Sequence, residues 1–256
     1  MVSDTFDKFG VRLNPPASTE DIAAMDNALG VSIPFMTQGY QDHDGYSQND
    51  DFRPRFRLMP TREVIDFHHV GTIPMGWADQ GFRVFYTDDN SNYAGLFVNR
   101  PIAGRVSIIE HDEPNFAPRF RNHFQFEMAL LYSVESDVDW DDIKYNYPAP
   151  ASISQEDAES DLRAVEGLRP LFDNAIDDFW RAQYAYSIMA LLPADRAAML
   201  LDFTYDDDFY ISEYACNALG QRRYAPAVNR LRELLELSIP NVPSAARRAL
   251  RLIETQ

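Results

Sequence analysis

Tyr145-Asn146-Tyr147-Pro148-Ala149-Pro150-Ala151-Ser152 is the stretch where the chain changes periodicity. Two prolines one residue apart fix φ and remove backbone donors, which disfavours helix and inner strand alike. Upstream, aromatic-rich alternating runs are broken by turn clusters, the pattern of short strands. Downstream, no alternation lasts and apolar residues recur at a helical period. The reading is two domains, residues 1–147 and 153–256, joined by a linker at 148–152. A chain of 256 residues accommodates two ordinary domains.

Working upstream, Ser18 or Thr19 can cap a helix whose first turn holds Glu20 and Asp21. Ile22, Met25 and Leu29 share one face, and Gly30 suits the left-handed end. Gly39–Asp51 reads as a polar loop, and Phe52–Leu58 as a strand alternating with arginines. Thr61 is expected to cap a second short helix. Phe82–Thr87, Tyr93–Val98 and Val106–Glu110 are strand candidates, the first two joined by the turn Asp88-Asp89-Asn90-Ser91-Asn92. Phe120, Phe124, Met128 and Leu131 fall on one stripe and predict the core face of a closing helix. The order of elements predicts an α+β domain around a mostly antiparallel sheet.

Working downstream, Asp177-Asp178-Phe179 recurs thirty residues on as Asp207-Asp208-Phe209, and Tyr184-Ala185 recurs as Tyr214-Ala215. Helix pairs are predicted at Ala194–Phe203 with Asp208–Gly220, and at Ala225–Leu237 with Pro243–Ile253. Pro193, Pro226 and Pro243 stand near helix starts, where proline is tolerated. A period of about thirty residues built from helix pairs predicts an all-α solenoid of about three pairs.

The balance of 40 acidic against 23 basic residues gives a net charge of −17. That excess argues against nucleic acid and anionic membranes as ligands, since both demand clustered cations. Acidity is spread over both halves, with 12 basic and 23 acidic residues before Ala151 and 11 and 17 from there on, so it is not a tail. A basic protein partner fits it, and so does high solubility alone. One cysteine excludes a disulfide scaffold and a cysteine-rich zinc site. The start, Met1-Val2-Ser3-Asp4, carries no leader-like pattern and no apolar run is long enough to span a membrane, so a cytoplasmic protein is expected.

No catalytic constellation, metal-ligand spacing or cofactor loop emerges, and neither an enzyme nor a cofactor is expected. Cys216 sits among alanines and is expected to be buried and inert. His68-His69 reads as a polar surface pair. Asp42-x-Asp44-Gly45 fails as a calcium loop, because Ser47 and Arg53 stand where glycine and glutamate are needed. What remains is a dense set of acidic and aromatic residues in the expected loop: Tyr40, Asp42, Asp44, Tyr46, Asp50 and Asp51, flanked by Asp88 and Asp89. Exposed loops on a rigid scaffold are where binding concentrates, so these eight are the expected partner contacts.

Leu29-Gly30-Val31-Ser32-Ile33-Pro34, following an amphipathic helix, resembles the entry motif of SUKH-superfamily domains of the Smi/Knr type. Leu58–Ile65, the Phe82–Asp89 strand and the helix around Phe120–Leu131 are similar to that family's later blocks. The resemblance spans about residues 15–132, with one departure: the family has a second helix after the proline, where this chain reads as polar loop. Tyr214-Ala215-Cys216-Asn217-Ala218-Leu219-Gly220 resembles the second helix of a HEAT-type repeat, with Ala215, Ala218 and Leu219 as its close-packed seam. The SUKH resemblance implies an immunity protein that binds and occludes a cognate polymorphic toxin, often a basic, nucleic-acid-targeting one. A cytosolic scaffold or regulator with no toxin partner is the alternative.

Overall fold

The computed structural model describes residues 8–69, 79–112, 115–143, 147 and 153–255. The fold is α+β, with two small antiparallel sheets and helices in both parts of the chain. It packs as two units, one formed by Met1–Pro114 with Asn122–Lys144, the other by Asn115–Arg121 with Tyr145–Gln256. The expected linker residues 148–152 lie outside the described residues. The second unit also takes in residues 115–121, which precede that stretch. Within it, the Gln183 side chain accepts from the Phe116 amide at 2.8 Å, and Arg121 pairs with buried Asp161 at 3.0 Å.

In the first unit, helix α1 (Thr19–Leu29) begins as its sequence directs. Ser18 caps the Asp21 amide at 3.1 Å, and Gly30 closes the helix at φ 69°. The polar-loop expectation for Gly39–Asp51 fails. Pro34, preorganised for a first helical position, opens α2 (Pro34–Asp42), which buries Met36 and Tyr40. Beyond it, β2 (Tyr46–Gln48) pairs with β1 (Val11–Leu13). The Phe52–Leu58 strand shrinks to β3 (Arg57–Leu58). Thr61 is not a cap; it lies inside α3 (Thr61–His69), whose first amide is taken by the Asp44 carboxylate at 2.7 Å.

The four-stranded sheet runs β3-β4-β5-β6, with β4 (Phe82–Thr87), β5 (Tyr93–Phe97) and β6 (Val106–Ile109). The β4–β5 turn is built by Asp88, whose side chain accepts from the amides of Asn90 and Asn92 at 2.8 and 3.0 Å. The β4–β5 register shifts between Val84 and Tyr86, a bulge of the kind that re-aims a neighbouring side chain. Phe56, Tyr86, Phe126 and Trp140 form an aromatic core with ring centroids 5.0–6.2 Å apart.

Helix α4 (His123–Glu135) overturns the expected stripe. Its buried residues are Phe126, Leu130, Ser133 and Val134. Phe124, Met128 and Tyr132 are 68, 48 and 56% exposed, and Phe120 precedes the helix altogether. The helix is apolar on two faces, and periodicity alone selects the wrong one.

The second unit holds α5 (Gln155–Asp173), α6 (Asp178–Leu191), α7 (Leu200–Phe203), α8 (Phe209–Gln221), α9 (Val228–Leu235) and α10 (Val242–Glu254). The last two expected pairs fall where predicted, with α7 and α9 each entered through a 3-10 turn. The two Asp-Asp-Phe runs are both helix starts. Asp177 caps α6 and Asp208 caps α8, so the caps are spaced one residue wider than the sequence repeat. Tyr214 stacks on Tyr186 at 4.7 Å. Gly220 exists for packing: a Cβ there would lie 2.6 Å from the Ala249 Cα. Ala215, Ala218 and Leu219 are all buried. No helix among the described residues is long and apolar enough to cross a membrane.

Candidate functional site

The first unit carries an open cleft of about 450 Å3, within the usual size range of ligand pockets. One wall is α2, through Phe35, Met36, Gln38, Gly39 and Asp42. His43, at its C-terminal cap, continues that wall. The other is the first turns of α4, through Asn122, His123, Phe124 and Glu127, with Leu58 of β3 between them. Each wall has a local cause. Asn122 caps α4 by accepting from the Gln125 amide at 2.9 Å, which fixes where His123 and Phe124 emerge. Tyr40 anchors α2 from beneath, donating to the Met59 carbonyl at 2.8 Å.

The polar side of the cleft is a connected cluster. Tyr86, just past the β4 bulge, places its hydroxyl on His123 Nε2 and 3.0 Å from Glu127 Oε1. His123 Nε2 is also 3.5 Å from that Oε1, and the two residues lie one helical turn apart. Burial holds His123 down to about 4, so its imidazole is neutral near pH 7. Burial pushes Glu127 above the usual carboxylate range, while the Tyr86 bond and the nearby His43 oppose the shift. Burial, and then Glu127, push the Tyr86 hydroxyl far up, so it stays protonated.

A hydroxyl has one proton to donate. With Glu127 ionised, Tyr86 donates to it and His123 Nε2–H donates to Tyr86. With Glu127 protonated, the acid donates to Tyr86, which then donates to His123 in its other tautomer. The cluster can therefore exchange one proton without losing a hydrogen bond.

His43 completes the site. Its ring stacks on Tyr46 at 5.4 Å, and its Nε2 is buried without a hydrogen-bond partner. Burial lowers its pKa, against the pull of Glu127, Asp42 and Asp44. Among the described residues no group of three His, Cys, Asp or Glu side chains could hold a metal ion.

The eight residues expected from the sequence scatter. Asp42 is exposed on the cleft rim, and Asp50 and Asp51 are exposed elsewhere. Tyr40 is fully buried and Tyr46 is 8% exposed, so neither offers its ring to a partner. Asp44 is spent on α3. Asp88 is spent on its own turn, and Asp89 is held by Arg57 at 2.6–2.7 Å. His68 is half-buried rather than a surface residue, with Nδ1 2.8 Å from the Val64 carbonyl. Cys216 is fully buried, and burial pushes its thiol up to about 12.

His43, Tyr86 and the His123–Glu127 pair do not stand out in the sequence, because they come from three separate places along it. Phe124 and Met128 do stand out, but as core. Comparison with protein-family models and with curated proteins gives no match.

Proposed function

We propose that the chain is a non-enzymatic immunity protein that binds a basic toxin domain and occludes its active site. The observation that carries this reading is the exposed face of α4, where Phe124, Met128 and Tyr132 stand in line, one turn apart. Phe35 adds a further half-exposed ring, its centroid 5.2 Å from that of His123. Soluble proteins rarely leave such a line of large apolar side chains uncovered unless something binds there. Tyrosine, phenylalanine and methionine are also the residues that enrich interface cores.

Charge is consistent with this reading. Asp42 and Glu127 border the rings, no lysine or arginine among the described residues lines the cleft, and the chain as a whole is at −17. A basic partner would be steered to this face, with faster association at low salt. A second helix opening at Pro34 is compatible with the SUKH pattern, although it ends at Asp42–His43 and not in that family's Asn-Gly pair. The capped, paired helices of the second unit are what a HEAT-like repeat would need.

The test is genetic and direct. Co-expression of this chain should rescue growth from the toxin domain encoded beside it. The double variant Phe124→Asp, Met128→Asp should lose rescue while staying folded. Full rescue by that variant would reject the α4 face as the contact, and absence of any toxin relieved by the chain would favour the scaffold reading.

A further inference from the structure

The cleft between α2 and α4 has one chemical peculiarity. It contains an acid in an apolar setting and no permanent cation to neutralise it. Glu127 lies among Phe35, Met36, Leu58 and Phe124, and the cleft's basic groups are two imidazoles held neutral by burial. The one hydrogen bond to Glu127 comes from Tyr86 onto Oε1, and His123 Nε2 lies 3.5 Å from the same oxygen. Among the described residues Oε2 has no hydrogen-bond partner, which leaves it for a ligand. The Phe35 and Phe124 rings are 47 and 68% exposed, so they border the cleft without closing it.

The geometry points to a binding site for a cation carried on an apolar stem: an alkyl guanidinium or ammonium whose charge meets Glu127 and whose stem lies between Phe35 and Phe124. Each part has a reason. A half-buried carboxylate in an apolar cleft gains most from a partner that brings both charge and hydrogen bonds, as a guanidinium does. Aromatic faces at the mouth attract the same cation as it enters. Asp42 at the rim adds attraction and no competing base. An anionic ligand would meet two acids. A neutral apolar one would strip the remaining water from the Glu127 carboxylate and leave it unpaired, which is costly. The site stands independently of the toxin reading, because a free amine and an arginine or lysine side chain share this chemistry.

The experiment is a titration of the full-length protein with Nα-acetyl-arginine methylamide, followed by heteronuclear NMR, with agmatine as a second probe. Saturable shifts should appear at residues 35–43 and 122–127. Glu127→Gln keeps a side chain that can bond Tyr86, and it should weaken binding about tenfold or more. A Cβ at Gly39 would meet no atom within 4 Å, so Gly39→Leu should fill the cleft and block binding without disturbing the fold. The citrulline analogue, isosteric and uncharged, should not bind. Equal binding of agmatine assigns the site to small cations, and a strong preference for the capped arginine assigns it to a partner's side chain. Citrulline binding as tightly as arginine, or unchanged affinity in a folded Glu127→Gln protein, would overturn the proposal.

Discussion

The two units deal with half-buried polar groups in opposite ways. In the second, arginines are set against aspartates or helix-end carbonyls. Arg222 reaches the carbonyls of Met189, Ala190 and Leu192 at 2.7–3.2 Å, closing the C-terminal end of α6, where the helix dipole favours a cation. Burial lowers Arg222 to about 10, which leaves it charged at neutral pH. Arg181 grips Asp206 with two bonds of 2.9 and 2.6 Å, and Asp161 is held by Arg121 and Tyr147. The first unit has such a clamp too, in Arg57 with Asp89, but around its cleft it sets His43, His123, Glu127 and Tyr86, which are weak acids and bases. One unit uses polarity to lock helices together. The other also keeps a cluster that can exchange a proton.

That contrast can be broken at its strongest point by removing Arg222. Arg222→Met should cost about 3 kcal/mol or more, because several helix-end carbonyls lose a charged donor at once. Urea unfolding would measure it. A loss under about 1 kcal/mol would mean the arginine is decoration, and the contrast would fail.

The second test is acid. His123 takes up a proton near pH 4 when folded and near its ordinary value of 6.5 when unfolded. Its contribution to stability is therefore complete above pH 6.5 and is lost as pH falls towards 4. Glu127, raised by burial, works in the opposite sense and trims the effect. The net share of His123 and Glu127 over that window should be about 2–3 kcal/mol, with His43 and His68, also lowered by burial, adding in the direction of His123. Replacing His123 by Gln should flatten the curve, and an unchanged curve in that variant would show that His123 carries none of the loss. Tryptophan fluorescence across the pH series reads both.

Gly220→Val comes next. The new side chain meets the Ala249 backbone, which cannot swing aside, and overpacking of this kind costs about 1–3 kcal/mol. Thermal melts would register it, and a neutral result would show that α8 and α10 have room to slide. The smallest effect belongs to the exposed face. Phe124→Ser should change stability by no more than about 0.5 kcal/mol, since the ring is 68% exposed. A larger loss would return Phe124 to the core, where its spacing in the sequence first placed it.

Local chemistry was the legible part. Ser18 and Gly30 bracket α1 as a cap and a left-handed stop should, and Asp88–Asn92 makes the hairpin turn its composition demands. Pro226 and Pro243 fall in the first turns of their elements. The harder cases share a cause. Helix α2 buries only Met36 and Tyr40 among polar residues, too weak a stripe to stand out. On α4, Phe124–Met128–Tyr132 and Phe126–Leu130–Val134 are both apolar, and nothing in the spacing says which meets the core. The cleft was not legible at all, because residues 35–43, Leu58, Tyr86 and 122–127 converge only through the tertiary fold.

The central claim is that the α2–α4 face of the first unit is where this protein meets its partner. Hydrogen–deuterium exchange of the full chain, alone and saturated with the toxin domain proposed as its partner, tests this most directly. New protection is predicted at residues 35–43 and 123–132, with little change at the α6 and α8 helix ends that Arg222 closes. Protection confined to the second unit, with residues 123–132 exchanging as in the free protein, would contradict it.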